Sequence, residues 1–133
     1  MSITRRSSVP GPDGLGRGTV QRWGACVDAK PPYEVERSAR HAERPGFRII
    51  ELEITTTQRI PWHHHTNVHD TFYVLQGCIL VSARDPAEEV RLSPGETCAI
   101  QARRPHQVTN AGEGPAVFLV LQGLGQYDFV PLS

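Results

Sequence analysis

Four of the six histidines of this 133-residue chain fall within seven residues, in the stretch Pro61-Trp62-His63-His64-His65-Thr66-Asn67-Val68-His69-Asp70. Side chains of an extended strand alternate between its faces, so His63 and His65 share one face and His64 takes the other. Two imidazoles at i and i+2 are placed to share a metal ion. Asp70, delivered as the next strand begins, adds a carboxylate oxygen, and His106 from a distant strand can close the set. Two histidines and a carboxylate make the facial triad of non-haem iron sites; a third histidine gives four ligands and leaves positions open on an octahedral ion. Open positions are what metal catalysis requires. An isolated His-x-His pair is equally compatible with a solvent-facing or hydrogen-bonded pair, so the surroundings decide its weight.

Those surroundings read as strands. Twelve Gly and eleven Pro punctuate short apolar runs along the chain, the pattern of many short strands. Phe47 to Ile54 is a β-rich run closed by Thr55-Thr56-Thr57. Thr71 to Ala83 is apolar on both parities, which predicts that both faces are covered, and Gly77 interrupts it as a bulge or tight corner would. Arg84-Asp85-Pro86-Ala87 is turn chemistry, followed by a short strand through Val90 and Leu92, Thr97 to Gln101, a turn at Arg103-Arg104-Pro105, a strand at His106 to Thr109, and a closing strand Ala116 to Gln122. No sustained 3.6-residue apolar stripe occurs between 47 and 122, so the expected class is all-β, a sandwich or closed barrel. Glu34 to Arg44 is charged enough to be a loop, a helical turn or an edge strand. Residues 1 to 18 carry six Gly and Pro and little apolar content, and residues 1–45 are read as an arm with peripheral strands ahead of a barrel at 46–133.

The spacing of the polar residues adds a resemblance. His63, His65, Asp70 and Gly77 stand in register with the first signature motif of the cupin family, G-x5-H-x-H-x(3 or 4)-E-x6-G, with Thr57 in place of the opening glycine and Asp70 in place of the glutamate. Gly95, His106 and Asn110 stand in register with the second, G-x5-P-x-G-x2-H-x3-N, with Gln101 and Arg103 in place of its proline and second glycine. The two motifs span residues 57 to 110, and the flanking strands extend the likeness to about 47–122. The chain thus resembles a small single-domain cupin, which implies an antiparallel jelly-roll barrel (double-stranded β-helix). It also implies one divalent metal (Fe, Mn, Ni or Zn) on His63, His65, His106 and a fourth ligand. That ligand is Asp70 or His69, since His69 lies at the shorter of the family's two spacings. The resemblance implies either an enzyme of oxygenase, isomerase or cyclase type acting on a small molecule, or a non-catalytic binding module.

By strand parity Phe72, Val74 and Gln76 share the inward face with Asp70, and Val108 and Asn110 that of His106, an apolar lining suited to a small organic ligand. Arg103 offers a guanidinium that could clamp an anionic group. Trp62 and Cys98 read as packing. Tyr127, Asp128 and Phe129 follow the last strand and would fold over a barrel end or against a partner subunit.

Composition excludes other classes. Lys plus Arg and Asp plus Glu are 14 each, against the excess basic charge that nucleic-acid and anionic-membrane binders use. No apolar stretch approaches the roughly 18 residues of a membrane helix, and the N-terminus lacks the apolar segment of a secretory signal. Cys26, Cys78 and Cys98 are an odd number without Cys-x-x-Cys spacing, which reads as reduced thiols in a cytoplasmic protein. An open sheet edge needs cover, and a homodimer built through edge strands and the N-terminal arm is the expected assembly.

Overall fold

The computed structural model describes residues 31–133. Of the arm with peripheral strands expected over residues 1–45, residues 1–30, with Cys26, lie outside the described residues. Ten strands follow one another with no helix among the described residues: β1 (Arg37–Arg44), β2 (Phe47–Ile54), β3 (Arg59–His64), β4 (His69–Gln76), β5 (Ile79–Ala83), β6 (Glu88–Leu92), β7 (Thr97–Ile100), β8 (His106–Asn110), β9 (Ala116–Gly123) and β10 (Val130–Pro131). They form two five-stranded antiparallel sheets in the orders β1-β2-β9-β4-β7 and β10-β3-β8-β5-β6. This is the all-β class that the strand pattern predicted, in the jelly-roll form that the cupin resemblance implied. None of the described residues forms a helix long and apolar enough to cross a membrane.

Alternation explains the core. On β2 Ile50, Leu52 and Ile54 are buried, on β9 Ala116, Phe118 and Val120, and on β4 Phe72 and Val74. Ile60, Val108, Ile79, Val81 and Leu92 meet them from the second sheet. The charged segment left open in the sequence is an edge strand: β1 pairs along β2, where Arg37 bridges Glu51 and Glu53. A charged edge resists pairing with a further strand.

The run from Thr71 to Ala83 divides into β4 and β5 at Gly77, whose φ is +78°. A Cβ there would lie 2.5 Å from the Pro115 carbonyl oxygen, so both conformation and space require glycine. One expectation is corrected. Tyr73 and Leu75, on the outer face of β4, are 39% and 44% exposed, so none of the described residues covers that face there.

Candidate metal centre

The histidines reach one another because β3 is irregular. Ile60 and His63 are both buried, which strict alternation forbids; the β3–β8 register shifts between them, and the shift turns His63 inward. His63 then pairs directly across to His106, with ring centroids 4.3 Å apart. His65 follows just past the end of β3, and Asp70 enters on β4, where its neighbour across the ladder is Gln122 of β9. His63, His65, Asp70 and His106 are all at most 2% exposed, and their donor atoms lie within 4.8 Å of one another.

Each ring is held from behind. The Nδ1 of His63 faces the Pro61 carbonyl at 2.7 Å, that of His65 the Asp128 carbonyl at 2.6 Å, and that of His106 the Arg104 carbonyl at 2.8 Å. A carbonyl only accepts, so each Nδ1 carries the proton and each Nε2 turns a lone pair into the cluster. The Nε2 atoms of His65 and His106 lie 2.9 and 3.0 Å from Asp70 Oδ2. Lone pairs facing a carboxylate oxygen repel unless a proton or a metal cation sits between them. Donors bound at right angles to an ion by bonds of about 2.1 Å are about 3 Å apart, which is the spacing found. The four residues therefore suit a divalent ion.

Burial, reinforced by the neighbouring His106, lowers the His63 pKa to about 3, so this ring is neutral at ordinary pH and its Nε2 lone pair is available to an ion. Burial pushes the Asp70 carboxyl up. With no ion bound, a proton shared between Asp70 Oδ2 and the Nε2 atoms of His106 and His65 makes these contacts hydrogen bonds, which outweigh the effect of burial and hold the Asp70 carboxyl well below the usual carboxylate range. At His65 burial again opposes the charge, and the Asp70 carboxylate more than offsets it, raising the pKa. The other Asp70 oxygen, Oδ1, accepts a 2.8 Å bond from Gln122 Nε2.

The remaining residues singled out in the sequence fall elsewhere. His69 does not join the cluster: it is exposed, and its Nδ1 accepts the Ala102 amide. Phe72, Val74 and Val108 are buried, Phe72 beside His106. Gln76 is exposed rather than inward, because the β4–β9 register shifts between Val74 and Gln76. Asn110 organises a turn, bonding the Ile54 and Gly114 carbonyls and the Gly112 amide. Arg103 is exposed and has a φ of +71°, the left-handed conformation of the glycine it replaces, while its amide binds the His65 carbonyl at 2.6 Å.

Three site residues, Tyr33, Arg48 and Gln122, were not singled out in the sequence, and three others, Tyr127, Asp128 and Phe129, were singled out with two placements open. Tyr127 and Phe129 fold over the end of their own barrel: Phe129 stacks on His63 at 4.5 Å, and Tyr127 lies 5.3 Å from His65. The Asp128 carboxylate anchors this segment through the Thr66 amide and hydroxyl, at 2.7 and 2.6 Å. Tyr33 packs on Phe129 and completes the lid. Gln122 and Arg48 both occupy inward parity beside core residues, a signal present in the strand pattern. Beneath the lid, the cavity against His63, His65 and Asp70 is only about 10 Å³, room for about one water-sized species.

A family model for the cupin domain matches residues 51–122, more than half of the chain. The chain belongs to the cupin family. Among curated proteins no sequence matches this cupin. It is similar to an uncharacterised conserved protein with a double-stranded β-helix domain from Klebsiella pneumoniae subsp. pneumoniae, at 18% identity and a TM-score of 0.65, covering 78% of this chain and 90% of that one. It is also similar to KdgF from Halomonas sp., at 20% identity and TM-score 0.61, covering 68% and 79%. Oxalate decarboxylase from Bacillus subtilis is similar at 20% identity and TM-score 0.66, over 77% of this chain and 30% of that larger one. At such identities the likeness is one of fold.

Proposed function

We propose that this cupin is a metal-dependent enzyme acting on a small organic metabolite, with one divalent transition ion, iron, manganese, nickel or zinc, on His63, His65, His106 and Asp70. The observation that carries the reading is the convergence of three Nε2 lone pairs and one carboxylate oxygen in a buried cluster, each imidazole oriented by a backbone carbonyl. When bound, the ion supplies Lewis acidity and exchangeable positions, the common requirement of oxygenase, isomerase and cyclase chemistry. The chain's residues supply orientation and exclusion of water. Gln122 fixes Asp70 through Oδ1 and leaves Oδ2 facing the histidines, and Phe129 shields the His63 ring. Burial raises the Tyr33 and Tyr127 pKa values, so both hydroxyls stay protonated donors.

A non-catalytic binding module is the second reading, favoured by the closeness of the lid over the cluster. The two separate in one experiment: incubate the metal-loaded protein with a cell-metabolite extract beside His106→Ala and follow compounds by mass spectrometry. An enzyme depletes a metabolite and forms a product only in the parent; a binding module retains a compound unchanged.

As an assembly we propose a homodimer, supported by the uncovered apolar face where Tyr73 and Leu75 of β4 neighbour Leu119 and Leu121 of β9. A cytoplasmic location is supported by Cys78 and Cys98 as free thiols. The neutral net charge supports a small-molecule partner in preference to nucleic acid or an anionic membrane.

A further inference from the structure

One charged side chain occupies an inward position that the metal cluster does not explain. On β2, Ile50, Leu52 and Ile54 point into the core, and Arg48 shares their parity at the barrel mouth. Arg48, Gln122 and Asp70 are neighbours in one row across β2, β9 and β4. A guanidinium in such a place ordinarily faces a carboxylate. The nearest acid in the row is Asp70, whose oxygens are taken by Gln122, His65 and His106. Arg48 has no ion-pair partner among the described residues; its Nε donates to Gln122 Oε1 at 2.5 Å, and its guanidinium carbon sits over the Tyr127 ring, 3.6 Å from the centroid. By contrast, Arg37 and Arg104 on the outer surface both meet glutamates.

A groove of about 710 Å³ opens in front of Arg48, bounded by Phe47, Gln122, Gln126 and Tyr127 and, at its rim, by Arg44 and by Glu43, whose carboxylate meets Arg40 at 3.1 Å. Its size is that of a small-molecule site. The cavity at the histidines is far too small for an organic molecule, and Tyr127 and Gln122 form a wall common to the two spaces. Tyr127 and Gln122 are thus what stands between a molecule in the groove and the histidines.

We propose that Arg48 is the recognition residue for an anionic group of the substrate, a carboxylate, bound in this groove with its other end directed past Tyr127 to the metal centre. Guanidinium geometry matches a carboxylate with two parallel hydrogen bonds. The direction past Tyr127 rests on the metal-enzyme reading above; the anion site at Arg48 does not.

The test is titration calorimetry of the full chain with malonate, and with malonamide as its uncharged counterpart, metal content being measured on the same samples. Malonate is expected to bind the parent and malonamide not. Arg48→Gln should weaken malonate binding about tenfold or more, the loss of a hydrogen bond to a charged group, with metal content unchanged, and Arg48→Lys should retain part of the affinity. Chelated parent should still bind malonate more tightly than chelated Arg48→Gln. A metal-free parent that shows this Arg48 dependence refutes the metal-enzyme reading and leaves the anion site standing. Equal malonate affinity in parent and Arg48→Gln overturns the proposal. So does joint loss of metal and malonate in Arg48→Gln, which would make Arg48 a strut for Gln122, and so does failure of the parent to bind any straight-chain dicarboxylate from oxalate to adipate.

Discussion

Replacing Gln122 by Leu isolates the support behind the carboxylate ligand. Gln122 is 4% exposed, donates to Asp70 Oδ1 at 2.8 Å and accepts from Arg48. Leucine has a similar volume, so the core stays filled while the buried carboxylate loses one charge-assisted hydrogen bond. Such a bond contributes about 1.5–3 kcal/mol, or about ten- to hundredfold and somewhat beyond in an equilibrium constant. The same range is typical when the partner of a metal ligand is removed. Gln122→Leu should therefore bind zinc about 10 to 100 times more weakly than the parent in competition with a chelator of known affinity, at one site per chain. Circular dichroism should show an unchanged β spectrum. Zinc affinity within about twofold of the parent, in a folded variant, would refute the reasoning and make Gln122 a passive filler.

Thr66→Val removes the hydroxyl that holds the Asp128 carboxylate at 2.6 Å, so hydrogen exchange over residues 127–131 should accelerate while the barrel strands stay protected. Unchanged protection there would mean that the lid is held by its aromatic packing alone. The pH dependence of the metal-free protein follows from His63, whose pKa falls to about 3 in the folded chain. The unfolded chain binds the extra proton between that value and about 6.5, so the contribution is complete above about pH 6.5 and declines as pH falls, by up to about 1.4 kcal/mol per unit. His63→Gln should flatten the fall in urea midpoint between pH 6.5 and 4.5, and an undiminished slope counts against the assignment. Tyr73→Glu places a charge on the exposed apolar face of β4 and should convert a dimer to the 14.7 kDa chain in light scattering; a parent already of that mass rejects the dimer. Arg103→Gly relieves a left-handed conformation and should leave stability unchanged or raise it by about 1 kcal/mol in chemical denaturation; a loss of more than that would show that the arginine side chain stabilises the turn.

Much of this was legible in the chain because alternation is a local signal. The run Phe47 to Ile54 is β2 at both ends, and the histidine spacing placed His63 and His65 on one face with Asp70 and His106 arriving from other strands. Parity failed where a register shift intervened, at Gln76, and at the β3 irregularity that lets Ile60 and His63 both face inward. A shift depends on the partner strand, which local pattern does not contain. The choice between Asp70 and His69 could not be made from spacing, since it turns on where β4 begins relative to the barrel: Asp70 points in and His69 out. The lid was the least legible part. Tyr127 and Phe129 alternate about Asp128 after the last long strand, and only tertiary contacts with Thr66 and His63 show which surface they cover. Arg48 and Gln122 belong to no metal-binding residue type or motif spacing, and their inward parity is the one signal that places them inside.

That the buried cluster is a metal centre is tested by the metal content of protein purified without chelator or histidine tag. Elemental analysis should find close to one equivalent of a divalent transition ion per chain in the parent, and little in His63→Ala or His106→Ala. A parent that stays metal-free after dialysis against iron, manganese, nickel and zinc would contradict the claim and leave the three histidines and Asp70 as a hydrogen-bonded core.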